Sequence, residues 1–304
     1  MKKNLRHPLN FGFALLMIAI MVIVVGCGKA ATPTTPTTPA PQTTETPKPA
    51  RPDLILATTT STQDSGLLEV LIPDFEKKTG FKVKTVAVGT GAALAMGEKG
   101  DADVLLVHAP ASEQKLVDNK TAINYQLVMH NDFVIVGPST DPAKVKGTKT
   151  VVDAFKGIAA SPSIFVTRGD DSGTDKMEKA LWTKANVKPA GDKYQSTGQG
   201  MGQTLTIASE KAAYTLTDRA TYLATKKNLK LDILLEGEIS LLNIYHVMQV
   251  NPEKFPKVNA DGAKAFVDYL INADTQKLIA AFGKDKNGQS LFFADAGKKM
   301  EDLK

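Results

Sequence analysis

The stretch "ADVLLVHAP" (residues 102–110) keeps four apolar residues in a row where a strand with one wet face would alternate. A continuous apolar run of this length, bounded by polar residues, reads as a strand buried on both faces, in a sheet covered by helices. "DLILAT" (53–58) and "DFVIVGP" (132–138) have the same character. Helical spacing fills the intervals. "SGLLEVLIPDFEKKTG" (65–80) closes on Gly80, "FKVKTVAVG" (81–89) alternates as a strand, and "AALAMGEKG" (92–100) is a short helix. Strands alternating with helices predict an α/β chain with a mainly parallel sheet.

The alternation then restarts. "KTVVDAFKGIAA" (149–160) reads as helix, "SIFVTRG" (163–169) as strand and "DSGTDKMEKALWTKAN" (171–186) as helix. Helix, strand and helix follow in 201–228, with strands at "LDILLEGE" (231–238) and "LLNIYHVMQVN" (241–251). "AKAFVDYLINADTQKLIAAFG" (263–283) is one strongly amphipathic helix. The expectation is two lobes, 53–136 and 137–244, with 245–304 returning to pack on the first. No short-period repeat is visible.

The first 52 residues have a different character. "MKKNLRHPLNFGFALLMIAIMVIVVGCGK" has the basic start, apolar run and small residues of an export signal over 1–26. Cys27, the single cysteine, follows "VVG" as in a bacterial lipobox. The expectation is a lipidated N-terminal residue, holding the protein to the outside of a bacterial membrane. Residues 27–52, rich in Pro and Thr, lack the apolar surface to fold and read as a disordered stalk. The formal charge of +5 includes Lys2, Lys3 and Arg6 of the export segment. What remains is nearly balanced and shows no basic stripe, which gives no reason to propose nucleic acid.

Three loops carry the chemistry. "TTTSTQDSG" (58–66) follows the first strand, "GTG" (89–91) follows "VKTVAV", and "TRGDDSGT" (167–174) follows "SIFV". Ligands of open α/β sheets sit outside the carboxyl ends of the strands. Each loop offers hydroxyls, glycine and the start of a helix, whose unpaired N–H groups favour an anion. Ser, Thr and Asp before helices are also ordinary N-caps, which accounts for any one loop but less readily for all three. "TSTQDSG" and "TRGDDSG" can be aligned so that Asp64-Ser65-Gly66 falls on Asp171-Ser172-Gly173, as a cleft with pseudo-symmetric walls would require. Arg168 is the one cation within the loops, and Asp170 or Asp171 beside it could hold its guanidinium.

The motifs "ATTTSTQDSGLL", "GTGAALAMGEKGDADVLLVHAP", "NDFVIVGP", "TRGDDSGT" and "GMGQTL…YTLTDRATYL" together resemble the tungstate-binding proteins of bacterial ABC importers. The resemblance spans the folded part. It implies a two-lobed periplasmic-binding-protein fold of type II, with one oxyanion in the interlobe cleft. It also implies that Thr59, Ser61, Thr90, Arg168, Ser172 and Thr174 face the ligand. The implied partners are a membrane permease and its cytoplasmic ATPase, with no cofactor and no cationic metal, in a monomer. Thr167 stands where the family usually has serine, and Asp175 where it has histidine; neither change removes a donor.

A donor-only site suits tungstate or molybdate, which are full dianions, and size and charge do not separate the two. Phosphate keeps a proton and needs an acceptor. "R-x-D-x-S-G-T" also resembles the arginine loop of phosphate-binding proteins, with Asp170 in the acceptor's place, so a phosphate receptor is the alternative. A hydrolase using Ser61 or Ser172 would need a histidine base. His108, His130 and His246 all sit in or beside apolar strand patterns, which suits buried structural roles, and lack metal-ligand spacing. The export reading has a direct check. Cys27→Ser should move the processed protein from the membrane to the soluble fraction without changing ligand affinity, as read by fractionation and calorimetry.

Overall fold

The computed structural model describes residues 48–303; Cys27, the export segment and most of the stalk lie outside them. In chain order the elements are β1 (Asp53–Thr59), α1 (Thr60–Asp64), α2 (Leu68–Thr79), β2 (Lys82–Val88), α3 (Thr90–Lys99), β3 (Val104–Val107), α4 (Pro110–Asp118) and β4 (Ala122–Gly137). Then come α5 (Val151–Ala160), β5 (Phe165–Thr167), α6 (Gly173–Lys184), β6 (Tyr194–Ser196), α7 (Met201–Glu210), β7 (Thr215–Asp218) and α8 (Arg219–Thr225). The chain closes with β8 (Asp232–Leu235), β9 (Leu242–Val250), α9 (Ala260–Ile271), α10 (Ala273–Ala281) and β10 (Phe293–Ala294).

The main sheet has the order β10-β4-β9-β3-β1-β2, and β7 and β8 also pair with β4. It is mixed. β1 runs parallel to β2 and β3, whereas β9 is antiparallel to both β3 and β4. The parallel character expected from the sequence is thus limited to β1, β2 and β3, a small β5–β6 pair and a single bridge between Phe165 and Tyr214. The sixteen-residue β4 has two sets of partners: Ala122–Asp132 pairs with β9, and Phe133–Gly137 with β7 and β8.

Burial explains the apolar runs. In β1 and β3, Leu54, Leu56, Val104 and Leu106 point into a core with Phe75, Phe266 and Tyr245. Their neighbours Ala57, Leu105 and Val107 point to the opposite face, against Ala93, Met248 and Val258. The C-terminal part of β4 does the same. Phe133 and Ile135 meet Phe155, Trp182 and Tyr214, while Val134 and Val136 meet Met201, Leu205 and Tyr222. Within these runs both faces meet apolar side chains, and the buried polar residues Thr58, Thr59 and Asn131 fall outside them.

Local chemistry sets several boundaries. Gly80 ends α2 with φ of 78°, a left-handed conformation that costs glycine no steric penalty. The single long helix expected over 263–283 is two helices. Asn272 ends α9, and its side chain accepts from Asp274 N–H to start α10. Arg51 is already part of the fold, donating to the carbonyls of Val258 and Lys257 at 3.1 and 2.7 Å. The ordered part therefore begins ahead of Asp53, and residue 51 is no disordered stalk. Among the described residues no helix is long and apolar enough to cross a membrane.

Phe266 stands edge-on to Phe75 at 5.0 Å between ring centroids and is fully buried. Phe266→Ala should lower unfolding free energy by about 3–5 kcal/mol, the usual cost of a large buried cavity, as measured by urea denaturation.

Candidate functional site

The three hydroxyl loops meet. Thr59 ends β1 and caps α1, so "TSTQD" is itself a helical turn whose first residue presents its hydroxyl to Arg168 Nη2 at 2.8 Å. Gly89 precedes α3, and Thr90 Oγ1 accepts from Gly173 N–H at 2.8 Å. Gly91 N–H donates to the Asp171 carbonyl at 3.2 Å. Ser172 caps α6 through Asp175 N–H at 3.2 Å. Glycine is required at position 89, since a Cβ there would stand 2.7 Å from the Asp170 carbonyl. The helix starts of α1, α3 and α6 are thereby gathered around Arg168 and its neighbours, as the positions after β1, β2 and β5 suggested.

Arg168 is the largest fully buried side chain. Its Nη2 is held by Asp170 Oδ2 at 2.6 Å and by Thr60. Its Nε and Nη1 have no protein partner, and neither do the buried hydroxyls of Ser61 and Thr174. Unmatched buried donors are costly, because each has given up water for nothing. Those of Arg168, Ser61 and Thr174 suit a ligand made of acceptors.

The remaining expected residues are also buried here, with their oxygens engaged to different degrees. The Thr59 hydroxyl meets Thr62 Oγ1 at 2.8 Å and His108 Nε2 at 3.0 Å and accepts from Thr62 N–H. The hydroxyls of Thr90 and Ser172 accept from backbone N–H groups and keep their own hydrogens to donate. Asp170, the candidate acceptor for a protonated anion, already uses both oxygens, one on Arg168 and one on Ser172 N–H.

The proposed pseudo-symmetry is not structural. Asp64-Ser65-Gly66 ends helix α1, with Gly66 at φ of 80°, whereas Asp171-Ser172-Gly173 opens helix α6. The two triplets do opposite jobs, and their likeness is one of composition.

Several residues here carry no signal in a linear reading. Asp218 caps α8, its Oδ1 accepting from Thr221 N–H and Asn131 Nδ2, while Thr221 Oγ1 donates to the Ser61 carbonyl at 3.3 Å. Asn243 on β9 donates to Asn131 Oδ1 and to the Tyr245 hydroxyl. Burial pushes the Asp218 carboxyl up to about 6, partly opposed by its Thr221 bonds and the Arg168 charge. Burial, with the nearby Arg168 charge, lowers His108 to about 3 and keeps its ring neutral. His108 also packs against the start of α6, where a Cβ on Gly173 would lie 2.7 Å from its Nδ1. Pairing of Thr60 with Arg168 could have been suspected only by knowing that α1 is a helix.

The other histidines lie elsewhere. His130 pairs with Asp295 at 2.6 Å, and His246 Nδ1 lies 2.9 Å from buried Glu113. No histidine among the described residues hydrogen-bonds to Ser61 or Ser172, and no His, Cys, Asp and Glu cluster there could hold a metal ion.

A mixed sheet with helices on both faces and a buried, donor-lined site beyond β1, β2 and β5 defines a binding protein class, and the sequence agrees. Residues 32–274 match the family described as the PBP superfamily domain, and the chain belongs to that superfamily. Within it the chain is homologous to tungstate-binding proteins. It is 45% identical to the tungstate-binding protein TupA of Peptoclostridium acidaminophilum over 97% of this chain and 100% of that one. The crystal structure of the tungstate ABC transporter from Geobacter sulfurreducens is 49% identical, with a TM-score of 0.70, covering 76% of this chain and 98% of that one. Tungstate-binding protein TupA from Desulfovibrio alaskensis G20 is 46% identical, with a TM-score of 0.67, covering 81% and 99%.

The neutral state of His108 has a measurable consequence. Above its ordinary pKa of 6.5 the ring is uncharged in folded and unfolded chains alike. As pH falls towards about 3, the unfolded chain takes up a proton that the folded one refuses. Stability then falls by about 1.4 kcal/mol per pH unit. Replacing the ring removes this loss. In urea denaturation, the gap between wild type and His108→Gln should narrow by roughly 2 kcal/mol between pH ~7 and pH ~5. Parallel pH profiles would refute the assignment.

Proposed function

We propose that the protein captures a single tungstate or molybdate ion outside the cytoplasm and presents it to an ABC importer, a permease with its ATPase. The observation that carries this is the buried Arg168, with Nε and Nη1 unpaired beside a set of hydroxyl and amide donors. A tetrahedral dianion supplies acceptors without protons, and a charge-assisted bond to arginine is roughly twice as strong as a neutral one. Names of the relatives, tungstate-binding proteins among them, support the same ligand. Arg168, Ser61 and Thr174 are assigned as direct donors, joined by the free hydroxyl hydrogens of Thr90 and Ser172. Thr59 stands with them, its oxygen shaping the α1 turn.

Closure follows from the division of the chain. Residues 53–136 with 245–304, and residues 137–244, are assigned as two lobes, with the β4 and β9 strands carrying the hinge. Arg168 comes from the second lobe and Thr60 and Ser61 from the first, so an ion between them draws the lobes together. The protein acts as a monomer, held at the membrane by lipid on Cys27 after removal of residues 1–26. Phosphate is disfavoured by the names of the relatives rather than by Asp170, whose oxygens, engaged by Arg168 and by Ser172 N–H, each keep a further lone pair.

Calorimetry with tungstate, molybdate and phosphate tests the ligand. At a hundredfold excess over Kd, the bound ion should stabilise the fold by about 2.7 kcal/mol, seen as a rise in Tm. A rise with phosphate alone would overturn the choice. Arg168→Gln should weaken tungstate binding by about 2–4 kcal/mol, since one member of a buried charged contact is lost. Arg168→Lys should recover part of this, because an ammonium lacks the planar fork. Circular dichroism confirms that both variants fold, and near wild-type affinity in Arg168→Gln would refute the assignment.

A further inference from the structure

Helix α7 begins without a cap of its own. Gly200 stands at its N-cap position and supplies no side-chain hydrogen bond to the first turn. Helices usually fill this position with Ser, Thr, Asp or Asn, which satisfy an otherwise unpaired N–H. Here a side chain is obstructed from another quarter. A Cβ on Gly200 would lie 3.2 Å from the Cβ of Thr60, at the start of α1. The missing cap arrives across that same contact. Asp64, the last residue of α1, accepts from Gly202 N–H through Oδ2 at 2.9 Å. Its carboxylate also offers negative charge to the positive end of α7.

Helix α7 and the chain that follows α1 belong to different cores. Met201 and Leu205 of α7 pack with Val134, Val136 and Tyr222, while Leu67 and Leu68, just after α1, pack with Leu54, Phe75 and Phe266. α1 therefore works at both ends. Its first residue holds Arg168, and its last holds the α7 start. At 1.5 Å per residue its five residues span about 7 Å, short enough for the two ends to move as one body.

We propose that Asp64 is a closure latch: it caps α7 only when the oxyanion has drawn the two lobes together, and so slows release of the ion. This rests on the reading that the chain closes around an oxyanion. Asp64 is a positioning residue and makes no contact with the ligand. Opening the lobes leaves Gly202 N–H to water and Asp64 free, so the bond adds to the barrier for release and little to the rate of capture.

Two measurements test it on the full chain. The first is exchange of bound tungstate against isotopically enriched tungstate, followed by native mass spectrometry, with association followed separately by stopped flow. Asp64→Ala should release the ion about fivefold faster, the factor that one capping hydrogen bond corresponds to, with association within twofold of wild type. Asp64→Asn keeps an acceptor and should restore most of the slow release. The second is amide hydrogen exchange at Gly202. Tungstate should slow it in wild type and leave it unchanged in Asp64→Ala.

A permanently formed structural cap would protect Gly202 equally with and without the ion, and that result overturns the latch. So does unchanged release from Asp64→Ala. If wild type fails to bind tungstate, the oxyanion reading falls and takes the latch with it. Normal binding with unaltered release sinks the latch alone.

Discussion

A guanidinium buried with two of its nitrogens unpaired is costly, and the surrounding loops are arranged about it. Arg168 is held by a single nitrogen, Nη2, which Asp170 and Thr60 share. The acidic partner offsets part of the desolvation penalty and fixes the plane of the fork; the other edge remains turned to the site. Asp170 is itself positioned by Ser172 N–H, and Asp175 accepts from Gly169 N–H at 3.1 Å on the other side of the loop. The loop is thus braced from within before any ligand enters. Preorganisation of this kind keeps the cost of binding low, because few side chains remain to be ordered.

The polar residues behind the loops extend the same logic. Asn131, Asp218, Asn243 and Tyr245 form a connected buried set reaching to Thr221 and the backbone of Ser61. They sit on strands and helix starts, and apart from Tyr245 they are short, so small changes in backbone position would break several bonds at once. Two of its oxygens, Asp218 Oδ2 and Asn243 Oδ1, have no protein partner, so the set is only partly satisfied. His108 completes the inner wall as a neutral ring, so it adds no second positive charge beside Arg168. The site concentrates its cationic character in one residue and leaves the rest to dipoles.

Much of this was legible in the linear chain, for identifiable reasons. Apolar runs such as Val104–Val107 have one physical explanation, burial on both faces, and three strands ending in hydroxyl and glycine loops lead to one region. Arg168 could be singled out because it is the one cation in those loops, and its pairing with Asp170 followed from proximity in sequence. What could not be read depended on pairing across distance. Asn131 and Asn243 meet because β4 and β9 are antiparallel neighbours, a register that no local pattern encodes. The helical turn at Thr60–Asp64 is too short for periodicity to show, and it alone makes Thr60 an arginine partner. The split at Asn272 did carry a signal, an asparagine followed by "AD", but the amphipathic stripe running through it was the stronger cue.

The order of strands also constrains how the chain can become a protein. β3 is paired on one side by β1, close behind it in sequence, and on the other by β9, which begins at Leu242. Until β9 is present, one edge of β3 and the inner edge of β4 are open hydrogen-bonding templates. The first sheet is therefore completed by one of the last strands to be synthesised, a pairing of high contact order that forms slowly. A chain emerging N-terminus first stays unfinished over most of its length. The edges of β3 and β4 stay open until β9, near the end of the chain, arrives to pair with both.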